Sequence, residues 1–164
     1  MIEIKSLKIK CSGSIIVTDV DDCLIQTTIA LKALGVNKRD FFFNPDIFEK
    51  YKDDIYTPSK LTDWGNELRY MLENKMIGKL TILTSAQGHG DTLGYMFPLA
   101  HLILMGVNDE DKETFLNRIK GNALYVDDKQ NLFNRLNGNI TCVKYPIFGS
   151  KFHVRRKPKF KKRM

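Results

Sequence analysis

The sequence predicts an α/β fold, a parallel sheet covered on both faces by helices, and three observations carry the prediction. Five short apolar runs rich in β-branched residues show no polar alternation: residues 14–17 (SIIV), 79–84 (KLTILT), 101–105 (HLILM), 123–126 (ALYV) and 140–143 (ITCV). Strands that read as continuous apolar runs are buried on both faces, as in parallel sheets. Stretches with helical periodicity separate them, which is the alternation expected of an α/β chain. The 164 residues are enough for one domain with a well-buried core.

Taken in order, residues 14–17 form the first strand and stop abruptly in acids. Residues 28–59 are the least regular part, with Phe41, Phe42, Phe43, Phe48, Tyr51, Tyr56 and two prolines, and read as a part-helical insertion forming a flap or small cap. Its Phe41 to Phe43 run is expected to pack the insertion against the body, with stacking on a bound ring as the other use. Residues 62–74 place Trp64, Leu68, Met71 and Leu72 at helical spacing, and Thr62 or Asp63 can cap the helix. After the second strand, SAQGHGD reads as a turn around Gly88 and Gly90, and it lacks the GxGxxG spacing of a dinucleotide fingerprint. His89 within it is either a loop histidine or a substrate contact. Residues 111–119 form a helix with Phe115, Leu116 and Ile119 on one face and Gly121 as its stop. Residues 131–136 form a third helix, ended by Asn137-Gly138.

The net charge of +7 is unevenly placed. Residues 151–164 carry eight basic side chains (Lys151, Arg155, Arg156, Lys157, Lys159, Lys161, Lys162, Arg163) and no acid, leaving 18 basic against 19 acidic residues elsewhere. A near-neutral body with a basic C-terminal tail is a partner signal. Interleaved with Phe152, His153 and Phe160, the tail fits nucleic acid through phosphate neutralisation and stacking. A solubilising tail and docking to an acidic protein or anionic membrane surface are the competing readings. Cys11, Cys23 and Cys142 form no CxxC pair and have no histidine at ligand spacing, which points to reduced cytoplasmic thiols. No apolar run is long enough for a membrane span.

The chemistry concentrates where strands end. Asp19, Asp21 and Asp22 follow the first strand, and Asp127-Asp128 ends the fourth. In a parallel sheet both groups reach the same carboxyl edge, where ligand sites form. Carboxylates crowded there repel one another, and Mg²⁺ with oxygen ligands is their natural counterion. Thr84 and Ser85 end the second strand and could hold phosphate oxygens. Lys112, at a helix start before the fourth strand, could neutralise phosphate and nucleophile together.

With these four parts in this order, residues 14–147 resemble the haloacid dehalogenase-like (HAD) superfamily, mostly Mg²⁺-dependent phosphatases. DVDDCL matches its Asp-x-Asp motif at Asp19 and Asp21, TILTSA its strand ending in Thr84, DEDKETFL its lysine at Lys112, and LYVDD its acid pair at Asp127 and Asp128. Cys23 stands where that family usually has Thr or Val, Lys120 is the other lysine before the fourth strand, and Asp22 reads as a capping or solvent-facing acid. The resemblance implies a Rossmann-like three-layer domain over residues 1–150 with a small cap at about 28–59, followed by the tail at 151–164. It implies Asp19 as nucleophile, Asp21 as general acid/base, Thr84, Ser85 and Lys112 as phosphate ligands, and Mg²⁺ on Asp19, the carbonyl of Asp21 and Asp127, with Asp128 linked to the metal. The expected activity is hydrolysis of phosphate monoesters through an aspartyl-phosphate. A short cap implies an open site and a protruding substrate: a nucleotide, a nucleic-acid end or a phosphoprotein. The rival expectations are transfer to an acceptor other than water, and a non-catalytic binding or assembly protein on the same fold, anchored by its basic tail.

Overall fold

The computed structural model describes residues 15–147 and 151–156. Strands β1 (Ile15–Thr18), β2 (Lys79–Leu83), β3 (Leu102–Leu104), β4 (Ala123–Asp127) and β5 (Ile140–Ile147) are all parallel, and β6 (Lys151–Arg156) closes one edge antiparallel to β5. The order is β3-β2-β1-β4-β5-β6. The chain is thus an α/β, Rossmann-like three-layer fold with a central parallel sheet. The first half of the basic segment completes this sheet: Arg155 pairs with Cys142, Arg156 with Thr141 and Lys151 with Ile147. Lys157, Lys159, Lys161, Lys162 and Arg163 lie outside the described residues, as do Ser14 and Cys11.

Period-two alternation within the buried strands divides the core in two. Ile16, Leu80, Ile82, Leu124, Val126 and Val143 face one cluster, while Val17, Leu83, Ala123, Tyr125, Ile140 and Cys142 face the other. The first face is covered by the insertion, by helix α4 (Asp63–Glu73) through Trp64, Leu68, Met71 and Leu72, and by helix α5 (Gly90–Met96) through Leu93 and Met96. The second is covered by helix α6 (Asp109–Asn117) through Leu116, together with Phe133 and Leu136.

The insertion is three helices: α1 (Thr27–Ala33), α2 (Lys38–Phe43) and α3 (Pro45–Ile55), followed by a 3₁₀ turn at Pro58–Lys60. Asn44 caps α3 through hydrogen bonds from the Asp46 and Ile47 amides, and Pro45 occupies the first position, where no amide is needed. Thr62 caps α4 by accepting from the Gly65 amide, deciding between the two candidate caps.

Two helix assignments are corrected. Residues 131–136 form only a 3₁₀ turn, Phe133–Arg135. The segment is too short to repay helix nucleation, and Asn131 is held by Asp109 while Leu132, Phe133 and Leu136 are drawn into the core. Helix α6 starts at Asp109, two residues before the periodic pattern, because Asn108 and Asp111 form a reciprocal capping box. It ends at Asn117, so Gly121 (φ +90°) is not its stop but turns the chain into β4.

Candidate functional site

The strand order reverses between β1 and β4, making their carboxyl ends the crevice where this architecture binds ligands. Asp19 follows β1 directly and its amide donates to the Val126 carbonyl at 2.9 Å, joining the first acidic loop to the end of β4. Behind it the Trp64 indole donates to Thr18 Oγ1 at 3.1 Å, and Thr18 donates to the Asp19 carbonyl. Cys23 is fully buried beside Thr18 and the Val126 carbonyl, both 3.6 Å from Sγ, so its place in the motif is one of packing.

Asp19, Asp127 and Asp128 converge, with one oxygen of each within 4.8 Å of the others. Lys112 Nζ lies 3.0 Å from Asp19 Oδ1 and 3.9 Å from Asp127 Oδ2, itself nearly buried. The Tyr125 hydroxyl donates to Asp127 Oδ2, and the Lys129 amide to Oδ1 at 3.0 Å. Three carboxylates thus converge, and one ammonium neutralises two of them in part. Burial first, then Asp127, pushes Asp19 well above the ordinary carboxyl range despite Lys112. Burial likewise pushes Asp128 up to about 7. Burial opposes the charge on Lys112, but Asp19 and Asp127 outweigh it and hold the ammonium above its usual range. Ionising all three acids leaves two uncompensated negative charges, and the donors are hard oxygens, so the set fits a divalent ion such as Mg²⁺.

Asp21 stands apart from this cluster. Its Oδ1 accepts from the Tyr56 hydroxyl at 2.7 Å and from Thr27 Oγ1 at 2.8 Å. Burial still raises its pKa, against the pull of both donors. Asp22, in the left-handed region at φ 59°, accepts from the Thr28 amide and hydroxyl and from Lys38 Nζ at 2.9 Å. It caps the start of the insertion, as its capping reading anticipates, and these donors lower its pKa although burial opposes them.

A cavity of about 400 Å³ opens over the cluster, lined among others by Asp19, Asp21, Ser85, Lys112, Asp127 and Asp128. Five of the six catalytic and metal candidates therefore share one cavity with Ser85. Thr84 does not line it: the residue is fully buried, its amide donates to Leu104 and its hydroxyl accepts from the Ala86 amide. Ser85 and Ala86, in the loop that follows β2, face the cavity instead. His89 lies elsewhere, 1% exposed, packed on Tyr56 (centroids 4.2 Å apart) and edge-on to Phe48. It is a loop histidine, buried just before α5, and not among the residues that line this cavity.

Tyr56, Thr27, Lys38 and Tyr125 contact the acids without having been singled out for that role in the sequence. Only Tyr125 carried a readable signal, since residues two apart in a strand share a face and Tyr125 precedes Asp127 by two. No protein-family model matches the chain, and no curated protein matches it. Function must then be argued from the site and not from the fold. No helix among the described residues is long and apolar enough to cross a membrane.

Proposed function

We propose that this chain is a Mg²⁺-dependent phosphomonoesterase of HAD type, with Asp19 as nucleophile. The observation that carries the reading is the convergence of Asp19, Asp127 and Asp128 on the lining of one open cavity, with Lys112 against Asp19 and Asp127. A phosphate monoester resists an anionic nucleophile because the two repel. Mg²⁺ held by Asp19, Asp127 and Asp128 would offset that repulsion and orient the phosphoryl group.

The chain's own groups then have separable tasks. Lys112 occupies Asp19 Oδ1, which leaves Oδ2 to attack phosphorus. As the Asp19–phosphorus bond forms, the bond to the leaving oxygen breaks and that oxygen takes a proton from Asp21. Because two donors already occupy Asp21 Oδ1, the transferable proton resides on Oδ2. Water then attacks the aspartyl-phosphate, Asp21 accepts its proton, and Asp19 is released. Ser85 and Lys112 supply the hydrogen bonds and charge that balance the developing negative oxygens.

Phosphate release from a panel of nucleotides, phosphorylated oligonucleotides, phosphopeptides and small phosphoesters tests this. Release is expected to require Mg²⁺ and to vanish in Asp19→Asn with the fold intact. Wild-type turnover by that variant would reject Asp19 as nucleophile. Silence of the intact protein across the panel would favour the non-catalytic binding protein, and phosphate passed to an added alcohol would mark a transferase.

A further inference from the structure

We infer that Phe43, with Phe42 beside it, is a stacking platform for the base of a nucleotide whose phosphate sits over Asp19; the inference rests on the phosphomonoesterase reading. Three consecutive phenylalanines on one helix point about 100° apart and cannot all enter the same core. In α2 they divide the work. Phe41 is fully buried against Phe48 (4.8 Å) and Tyr56 (6.3 Å). Phe42 is partly buried, edge-on to Phe41 at 5.0 Å, and lines the cavity. Phe43 is 80% exposed and lines the same cavity.

A lone exposed apolar side chain needs no explanation. Phe43 differs in its place, on the cavity that contains the acids and Lys112, and in the rigidity of its support. Asn37 caps α2 by accepting from the Asp40 amide, Lys38 ties the helix start to Asp22 and Thr28, and Phe41 anchors its inner face. The helix that carries the ring is therefore fixed before a ligand arrives, which lowers the entropy cost of stacking to that of the ring's own torsions.

The cavity's size and charge narrow the ligand. At about 400 Å³ it lies toward the small end of the ~300–1,000 Å³ typical of small-molecule sites. Asp21, Asp22 and Asp109 line it together with Lys38 and Lys129, so its charge is mixed, and the neutral ring of a base can lie on Phe42 and Phe43 without a charge penalty. Asp19 is nearly buried and Phe43 is open to solvent, so the ring and the phosphate are held at different depths. A nucleoside meets this requirement because its sugar separates base from phosphate. An aromatic ring bonded directly to the phosphoryl oxygen does not. The shared chemistry is a nucleotide unit, from a free mononucleotide or from a strand end.

The test compares kcat/KM for adenosine monophosphate, a terminally phosphorylated oligonucleotide and the base-free ribose phosphate, in the intact protein and in Phe43→Ala and Phe43→Tyr. Base stacking contributes enough that a base should raise kcat/KM by about tenfold or more. Phe43→Ala should collapse that ratio toward one, and Phe43→Tyr should keep it. A base advantage confined to the mononucleotide assigns the platform to free nucleotides, and one confined to the oligonucleotide assigns it to strand ends. Equal kcat/KM with and without the base, or a loss in Phe43→Ala that is the same for both, overturns the inference. If the intact protein hydrolyses none of the three, the phosphomonoesterase reading fails for these substrates, and equilibrium binding of adenosine monophosphate decides the platform: binding lost in Phe43→Ala upholds it, and no binding by the intact protein overturns it.

Discussion

The Tyr56 hydroxyl, carried by the helical insertion, donates to Asp21 Oδ1 at 2.7 Å, so the cap holds the residue proposed to move the proton. Donation to a carboxylate stabilises its charged form, and here it counters the desolvation that raises the Asp21 pKa. Tyr56→Phe removes the donor and leaves the ring packing on Phe41 and His89. Asp21 should then keep its proton to higher pH, and the limb of the pH–rate profile that reports its ionisation should move upward, with a lower kcat from looser positioning. A profile that keeps its shape while the melting temperature falls would make Tyr56 a packing residue only.

The acidic cluster predicts opposite effects of one substitution on stability and on metal response. A carboxyl whose pKa is raised by folding stabilises the folded state below its unfolded pKa and loses that contribution as pH rises through the folded value. For Asp128 the window runs from the ordinary 3.8 to about 7. Asp128→Asn should remove that loss and make the metal-free protein more stable above neutral pH, on the order of 2 kcal/mol after allowance for solvent screening. The intact protein should gain about 1.4 kcal/mol from Mg²⁺ at ten times its Kd, and the variant should gain much less. Thermal melts with and without Mg²⁺ measure both, and an Asn variant that melts lower without metal would mean the acids are not in conflict.

How much of this could be read from the sequence depends on the range of the interaction. The strands were legible because each is an apolar run buried on both faces, and the acids were legible because they stop those runs. Register and reach were not. The second strand stops at Leu83, one residue short of Thr84, whose hydroxyl is turned to the Ala86 amide, and Ser85 takes the cavity wall. Tyr56 lies 35 residues from Asp21, and no local pattern announces a contact set by how three short helices fold back. Residues 151–156 read as a charged tail because Lys151, Arg155 and Arg156 dilute the apolar signal of a strand; the pairing to β5 comes from the open sheet edge.

Gly65, in α4, packs tightly against the loop that follows the Asp19–Asp22 acids. A Cβ there would lie 2.5 Å from the Leu24 carbonyl oxygen and 2.8 Å from Leu61 Cδ2. Alanine improves helix propensity by up to about 1 kcal/mol. Overpacking against backbone costs about 1–3 kcal/mol and should win. The Leu24 carbonyl also accepts from the Thr62 amide at 2.8 Å, so the helix cannot retreat without loosening its own cap. Gly65→Ala should lower stability by about 1–2 kcal/mol in chemical denaturation. Unchanged stability would show that the loop yields freely.

His89 provides a pH dependence of the opposite sign to that of the carboxyls. Burial pushes its pKa down to about 4 from 6.5; the Gln87 backbone works against this shift and Lys52 adds to it. Neither ring nitrogen has a well-aligned hydrogen-bond partner among the described residues, so the ring sits neutral between Tyr56 and Phe48. Between pH 4 and 6.5 the unfolded chain binds a proton that the folded one refuses, so this contribution is complete above 6.5 and is lost as pH falls through the window. The loss at the acid end is on the order of 3 kcal/mol. Because Asp128 and Asp19 act in the reverse sense over the same range, the wild-type curve alone does not isolate the histidine. The difference between the wild type and His89→Leu does: replacing an unpartnered buried polar group by an apolar one of similar volume is near neutral at pH 7. The variant should then become progressively the more stable of the two as pH falls toward 4. Parallel denaturation curves across the window would mean that His89 gains a partner on protonation and is not held neutral by the fold.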